Sequence, residues 1–492
     1  MARQRSVPQA TGIKKCPTGI RGLDEITYGG LPRNRPTLIC GGAGSGKTLL
    51  GMEFLVRGIH NFHEHGVFVS FEEAPGELAA NAASLGFNVA ELVRKKRLAI
   101  DHIAIERGEI EETGEYDLEG LFVRLSAAID EVGAQRIVLD GVGALFAGLS
   151  DEGTVRSELR RLFHWFKVRQ VTAVVTTEEG TDTLTRYGLE EYISDCVIML
   201  DNRVANQVST RRLRVVKYRG SAHGSNEYPT MIDENGLSIL PISSLNLDHP
   251  VSSERVPLGI GGLDAMLGGK GVFKGASILV SGSAGTGKTS VAAAFADETC
   301  ARGRRCLYLS FEESPDQIVR NMKSIGIKLH PHVRSGLLQF HSARATLYGL
   351  EQHLVNLHKR VETFKPATVI LDPVTNLGSV GNDAEIKDML TRVIDFLKNR
   401  MITALFTSLS GGGREIEQSK VGISSLMDTW ILLQMVHAAG ARNRGLSVLK
   451  SRGMAHSNQM REFLLTNRGI KILDASAGTP DGARRLKDRV AE

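Results

Sequence analysis

A phosphate-loop pattern occurs twice in this 492-residue chain, and each copy is embedded in the same series of neighbours. "GGAGSGKT" at 41–48 returns as "GSAGTGKT" at 282–289. Before it, "TGIRGLDEITYGG" (18–30) returns as "LGIGGLDAMLGGK" (258–270). After it, "VFVSFEEAP" (67–75) returns as "LYLSFEESP" (307–315), and "RIVLDGV" (136–142) as "TVILDPV" (368–374). Late in each copy, "VVKYRG" (215–220) matches "VLKSRG" (448–453). Five matches in one order make this a tandem duplication, so any fold must be built twice. Length agrees, because 492 residues exceed what one ordinary core organises.

Within the first copy, "PTLIC", "VFVSF", "RIVLD", "TAVVTT" and "CVIML" read as buried strands. "TLLGMEFLVRGI" and "LEGLFVRLSAAIDEVG" read as helices between them. Strands separated by helices predict an α/β fold: two P-loop domains in tandem, each a mostly parallel sheet flanked by helices. The expected division is a tail at 1–14, a first domain at 15–246, a second at 247–474, and a basic tail at 475–492. The join is read in "LPISSLNLDHPVSSERVPLG", which is rich in Ser and Pro and has no periodicity.

The glycine loops follow a strand and open a helix, which is the setting a phosphate cradle needs. Gly41, Gly44, Ser45 and Gly46, with Gly282, Gly285, Thr286 and Gly287, should close backbone amides around the phosphates of ATP. Lys47 and Lys288 should reach the β- and γ-phosphates, and Thr48 and Thr289 should hold Mg2+. Asp140 and Asp372 end later apolar runs and fit the carboxylate that holds Mg2+ through water. Glu72, Glu73, Glu312 and Glu313 end the strand between these motifs, where parallel sheets place their ligands. A carboxylate there can orient a nucleophile and accept its proton. Lys217 and Arg219, like Lys450 and Arg452, stand two apart after a strand-like run and should project from one face. They suit either a solvated basic edge or cations offered to a neighbour's nucleotide.

Composition removes several classes. No apolar run reaches the ~18 residues of a membrane span, and the basic N-terminus lacks the apolar core of a secretory signal, so a cytoplasmic protein is expected. Five cysteines without C-x-x-C spacing fit neither a disulfide framework nor a zinc site. His60, His63 and His65 in "HNFHEHG" read as a polar connection. A net charge of +5 with 5% aromatics argues against nucleic acid as a partner.

Paired P-loops, paired "SFEE", "IVLD"/"VILD" strands and late K-x-R-G segments together resemble the KaiC family, double RecA-like ATPases of circadian clocks. The resemblance covers about 15–475 and includes "DTWILLQM" (428–435). It implies homohexameric rings in two tiers, with ATP between adjacent subunits and Lys217, Arg219, Lys450 and Arg452 reaching the neighbour's nucleotide. It implies slow hydrolysis in the first domain, and autokinase and phosphatase activity in the second. Ser424 and Ser425 fall on the family's adjacent phosphorylation sites, where the first copy has Glu191 and Tyr192. Without the resemblance such a pair equally reads as a capping turn. Ser419 matches a nearby hydroxyl position. Two departures stand out: serine replaces threonine at 425, and the C-terminal tail is shorter and more basic than the one that binds KaiA. A KaiA-like partner is therefore not expected, whereas a KaiB-like partner could use the first domain. The competing classes are a RecA-type nucleic-acid motor, which needs basic, aromatic-bearing pore loops, and a nucleotide-gated scaffold, which needs no intact "SFEE" sites.

Overall fold

The computed structural model describes residues 12–103, 118–146, 152–180, 185, 193–205, 208–241, 250–410, 423–438 and 441–473. The chain divides into two compact units, Met1–Ser243 and Ser244–Glu492. Residues 242–249 of the expected join lie outside the described residues, as do Glu191, Tyr192, Ser419 and the expected C-terminal tail.

In the first unit the strands of the main sheet are β1 (Pro36–Gly41), β2 (Gly66–Ser70), β3 (Leu98–His102), β4 (Arg136–Asp140), β5 (Thr172–Glu178), β6 (Cys196–Ala205), β7 (Val208–Tyr218), β8 (Glu227–Asp233) and β9 (Gly236–Ile239). They form one sheet in the order β9-β8-β7-β6-β1-β5-β4-β2-β3. The six strands from β6 to β3 pair in parallel, and β7 to β9 extend the sheet as an antiparallel meander. The second unit repeats this with β10 (Ser277–Gly282), β11 (Cys306–Ser310), β12 (Leu338–Ser342), β13 (Thr368–Asp372), β14 (Thr403–Leu409), β15 (Thr429–Ala438), β16 (Ala441–Ser451), β17 (Arg461–Thr466) and β18 (Gly469–Leu473). Its order, β12-β11-β13-β14-β10-β15-β16-β17-β18, is the same one read from the other edge.

Alternation splits each central strand between two apolar layers. Ile39, Phe68, Val138 and Val174 pack under α1 (Lys47–Phe62). Leu38, Val67, Leu139 and Val175 face α2 (Glu119–Val132) and α3 (Glu152–Arg169). In the second unit α4 (Lys288–Ala301) covers Ile278, Val280, Tyr308, Ile370 and Leu405. Both units therefore carry the expected α/β sheet with its helices. One buried feature of the first unit is not repeated. Arg136 is fully buried, donates to Glu64, Phe54 O and Pro17 O, and ties the start of β4 to the N-terminal segment. Thr368 takes its place in the second unit and meets the Thr299 hydroxyl. No helix among the described residues is long and apolar enough to cross a membrane.

Two candidate nucleotide sites and a serine pair

Each glycine loop leaves the carboxyl end of a central strand and runs into a helix. Gly46 and Gly287 precede their helices at φ +101° and +100°, and no side chain caps either helix start. The first-turn amides therefore remain available to an anion. Gly41 has no room for a side chain, since a Cβ there would stand 2.2 Å from Leu200 O. The Lys47 ammonium donates to Gly41 O at 2.7 Å and Gly42 O at 3.0 Å. Lys288 does the same to Gly282 O and Ser283 O, at 2.9 and 2.8 Å. Burial lowers Lys288 below the usual lysine range, against the pull of Asp372 and Glu312.

The strand-end carboxylates lie beside these loops. Asp140 accepts from Thr48 Oγ1 at 2.8 Å and Thr176 Oγ1 at 2.6 Å. Burial pushes its carboxyl up, with both hydroxyls opposing. Asp372 is also buried, and it accepts from Thr407 and, at 2.6 Å, from the hydroxyl of Tyr308. One carboxylate and one hydroxyl beside a phosphate cradle suit Mg2+, which binds through few protein oxygens, substrate phosphates and water. Among the described residues no cluster of three or more His, Cys, Asp or Glu is arranged to hold a metal by itself. In the histidine segment, His65 Nδ1 contacts Val132 O at 2.6 Å.

The two glutamates of each pair have different surroundings. Ser70 Oγ accepts from the backbone N–H of Glu72 and Glu73, and this turn presents both beyond β2. Asn81 holds the Glu73 carboxylate at 3.2 Å, and Asn321 holds that of Glu313 at 3.4 Å. Glu72 instead lies against Gly141, next to Asp140. Burial raises its carboxyl, helped by the charges of Asp140 and Glu178. In the second unit burial, and then Asp372, raises Glu313. Sequence reading missed Glu178, which ends β5, and Glu179, which follows it, where the second unit has Leu409 and Ser410. "TTEEGTD" gives them no distinguishing signal beyond acidity.

The late cations differ from the expectation in two ways. Lys217 and Lys450 do lie on strands, but Arg219 and Arg452 stand in the turns just beyond them. The register shifts directly beside each lysine's pairing, between Val197 and Ile198 opposite Lys217 and between Trp430 and Ile431 opposite Lys450. The second-unit pair also has a use inside its own unit. Lys450 Nζ donates to Ser424 O at 3.0 Å, and Arg452 donates to Ser425 O at 2.7 Å. The serines form a short 3-10 turn, Ile423–Ser425, with Ser425 exposed and Ser424 half-buried.

This turn and its cations sit at the end of the sheet opposite the phosphate loop. β10 and β15 run parallel, pairing Ile278 with Thr429 and Gly282 with Leu433. The loop leaves after Gly282, whereas the serines precede Thr429. Four residue steps of strand alone separate those levels, roughly 13 Å. The first unit has the same layout, with Lys217 paired to Val197 near the start of β6.

A family model described as "ATPase: KaiC" matches residues 16–244 and again 256–477. The chain is 57% identical over 472 residues to the "Circadian clock protein KaiC2" of Synechocystis sp. PCC 6803, covering 96% of this chain and 83% of that one. It is 38% identical to the "Circadian clock oscillator protein KaiC" of Parathermosynechococcus lividus, covering 95% and 87%. It is 37% identical to the "Circadian clock protein KaiC3" of the same Synechocystis strain, covering 94% and 92%. With both phosphate loops, both strand-end aspartates and the full repeat in place, this chain belongs to the KaiC family of ATPases.

Proposed function

We propose that the protein is an ATP-dependent homohexameric ring whose first unit carries most ATP hydrolysis and whose second unit phosphorylates and later dephosphorylates Ser424 and Ser425. The observation that carries the transfer is the placement of the serine pair at the far end of the sheet from its own loop. A phosphate held by Lys288 cannot meet a hydroxyl of the same unit across that span, so the acceptor belongs to a neighbouring copy. The same layout places Lys217, Arg219, Lys450 and Arg452 far from their own loops, at the end of the sheet that would meet a neighbouring copy.

In the transfer, the serine Oγ bonds to the γ-phosphorus as the bond to the β–γ bridging oxygen breaks and ADP leaves. The hydroxyl proton passes to Glu312, which lies within the field of Lys288, while Asn321 keeps Glu313 in a supporting place. In the first unit Glu72 orients a water in the same way, with Glu73 behind it. Thr48 with Asp140, and Thr289 with Asp372, would hold Mg2+, which supplies charge neutralisation of the phosphates. Each phosphate brings about −1.5 to −2 charges next to Arg452 and Lys450, and so alters the boundary that the ring closes through. We assign the protein to circadian-type timing or signalling on the strength of its named relatives, and to the cytoplasm as its sequence leads one to expect. A KaiB-like protein is the proposed partner for the first unit.

Mixed rings test the transfer. A Lys288→Ala chain keeps its serines and loses its phosphate grip, whereas a Ser424→Ala, Ser425→Ala chain keeps the grip and loses the acceptors. Incubated apart with Mg-ATP, neither gains phosphate at 424 or 425. Mixed, the Lys288→Ala chain becomes phosphorylated there, read by mass spectrometry. Phosphate on the isolated Lys288→Ala chain, or none in the mixture while the parent is labelled, would sink this reading.

A further inference from the structure

The two strand-end aspartates differ in one hydrogen bond. Both are nearly buried, at 7% and 5% exposure, and both give one oxygen to a β-strand threonine, Thr176 or Thr407. The other oxygen, Oδ2, has different donors. On Asp140 it takes the hydroxyl of Thr48, which belongs to the phosphate loop's own helix. On Asp372 it takes the hydroxyl of Tyr308, and no hydrogen bond joins Asp372 to Thr289. Tyr308 stands in β11, is fully buried, and packs against Phe340 with ring centroids 5.1 Å apart. The matching residue of the first unit is Phe68, equally buried and without a hydroxyl. The repeat "VFVSFEE"/"LYLSFEE" fixes this correspondence, and the register confirms it, since Phe68 pairs with Val138 and Tyr308 with Ile370.

We propose that Tyr308 is a positioning residue that makes the second nucleotide site demand more Mg2+ than the first. The inference rests on the reading that both sites hold Mg-ATP. In the first unit the carboxylate and the loop threonine already face each other, so both can turn to one metal and its water. In the second unit a donor fixed in the sheet occupies the same oxygen. A 2.6 Å bond from a hydroxyl to a carboxylate is short and charge-assisted, and it withdraws charge that would otherwise act on the metal. Full burial and the contact with Phe340 stop the Tyr308 ring from swinging away. The metal's water then competes with a donor that stays in place, whereas at Asp140 the competing donor is itself a metal-binding group. One hydrogen bond of this kind corresponds to about a tenfold or larger change in an equilibrium constant.

The test reads occupancy of each site, not turnover. The full chain is titrated with Mg2+ in the presence of an azido-adenine, non-hydrolysable ATP analogue and crosslinked by light. Labelled peptides from each unit are then counted by mass spectrometry. In the parent, half-labelling of the second unit requires about tenfold or more Mg2+ relative to the first. Tyr308→Phe moves the second unit's midpoint down to that of the first and leaves the first unit's midpoint in place. The substitution is compatible with the fold, because Phe68 fills the same position in the sister unit. Phe68→Tyr makes the reciprocal change and raises the first unit's midpoint. A merely structural role for Tyr308 would lower labelling at saturating Mg2+ without moving the midpoint. Coincident midpoints in the parent, or a Tyr308→Phe midpoint that stays or rises, overturn the proposal while Mg-ATP binding stands. Labelling of the second unit that ignores Mg2+ altogether removes the underlying reading and the proposal with it.

Discussion

Asp428 shows how one carboxylate organises the neighbourhood of the serine turn. It accepts from the Ser277 N–H and hydroxyl at 2.9 Å each and from Lys398 at 2.8 to 2.9 Å, while its carbonyl takes the Arg452 N–H at 2.8 Å. Burial alone would raise its carboxyl. The bonds from Lys398 and Ser277 outweigh burial and hold it below the usual aspartate range. Such a group stabilises the fold above its unfolded value, and the contribution is lost as pH falls through its folded value. Asp428→Asn should therefore cost about 1–3 kcal/mol at neutral pH, where it leaves Lys398 without its carboxylate partner. The gap to the parent should close in acid, as followed by urea unfolding at several pH values. A gap that widens in acid would contradict the assignment. At the nucleotide sites, Glu72→Gln with Glu73→Gln should keep nucleotide binding and lower phosphate release by about 10²–10⁴-fold, the usual cost of losing a positioned base. Unchanged release would remove the glutamates from catalysis.

The helix that follows each phosphate loop depends on a glycine that nothing else can replace cheaply. Gly287 has φ +100°, and a Cβ there would stand 2.7 Å from the ring of Phe463 on β17. Gly46 meets Ile232 on β8 in the same way, at 2.9 Å. Gly287→Ala should strain this turn by about 1–3 kcal/mol and abolish nucleotide labelling of the second unit while leaving the first labelled. Equal labelling of both units in that variant would show that the loop tolerates the side chain. These contacts also mark where sequence reading stopped. The central strands were legible because burial on both faces leaves continuous apolar runs such as "RIVLD" and "CVIML". The meanders that β7 to β9 and β16 to β18 form against the helix starts were largely not, because "TRRLRVV" and "REFLLTNRG" mix charge with apolar residues at a half-exposed edge. Arg136 looked like a polar strand start, since its partners Glu64, Phe54 and Pro17 lie 72 or more residues away. Tyr308 and Phe68 looked alike, as apolar members of one strand pattern, and only the fold brings the phenol to Asp372.

At the scale of the whole chain, nucleotide is expected to govern assembly. Sites completed by a neighbour bind the assembled form better, and at a ligand concentration of 100 times Kd that preference is worth about 2.7 kcal/mol. Native mass or light scattering should find the ring at saturating Mg-ATP and smaller species after its removal, and a monomer under both conditions would end the ring reading. The layout of each unit then has a consequence for the geometry of association. A two-fold dimer sets a surface against its own copy, but here the giving face and the receiving face are at opposite ends of the same sheet. On the proposed transfer, association would be polar, each copy acting on the next and being acted on by the one before. An open row would always end in one copy that receives nothing and one that gives to nothing. Closure would remove both ends, so under the proposed transfer full occupancy of the serine pair would be a chemical record that the circle was complete.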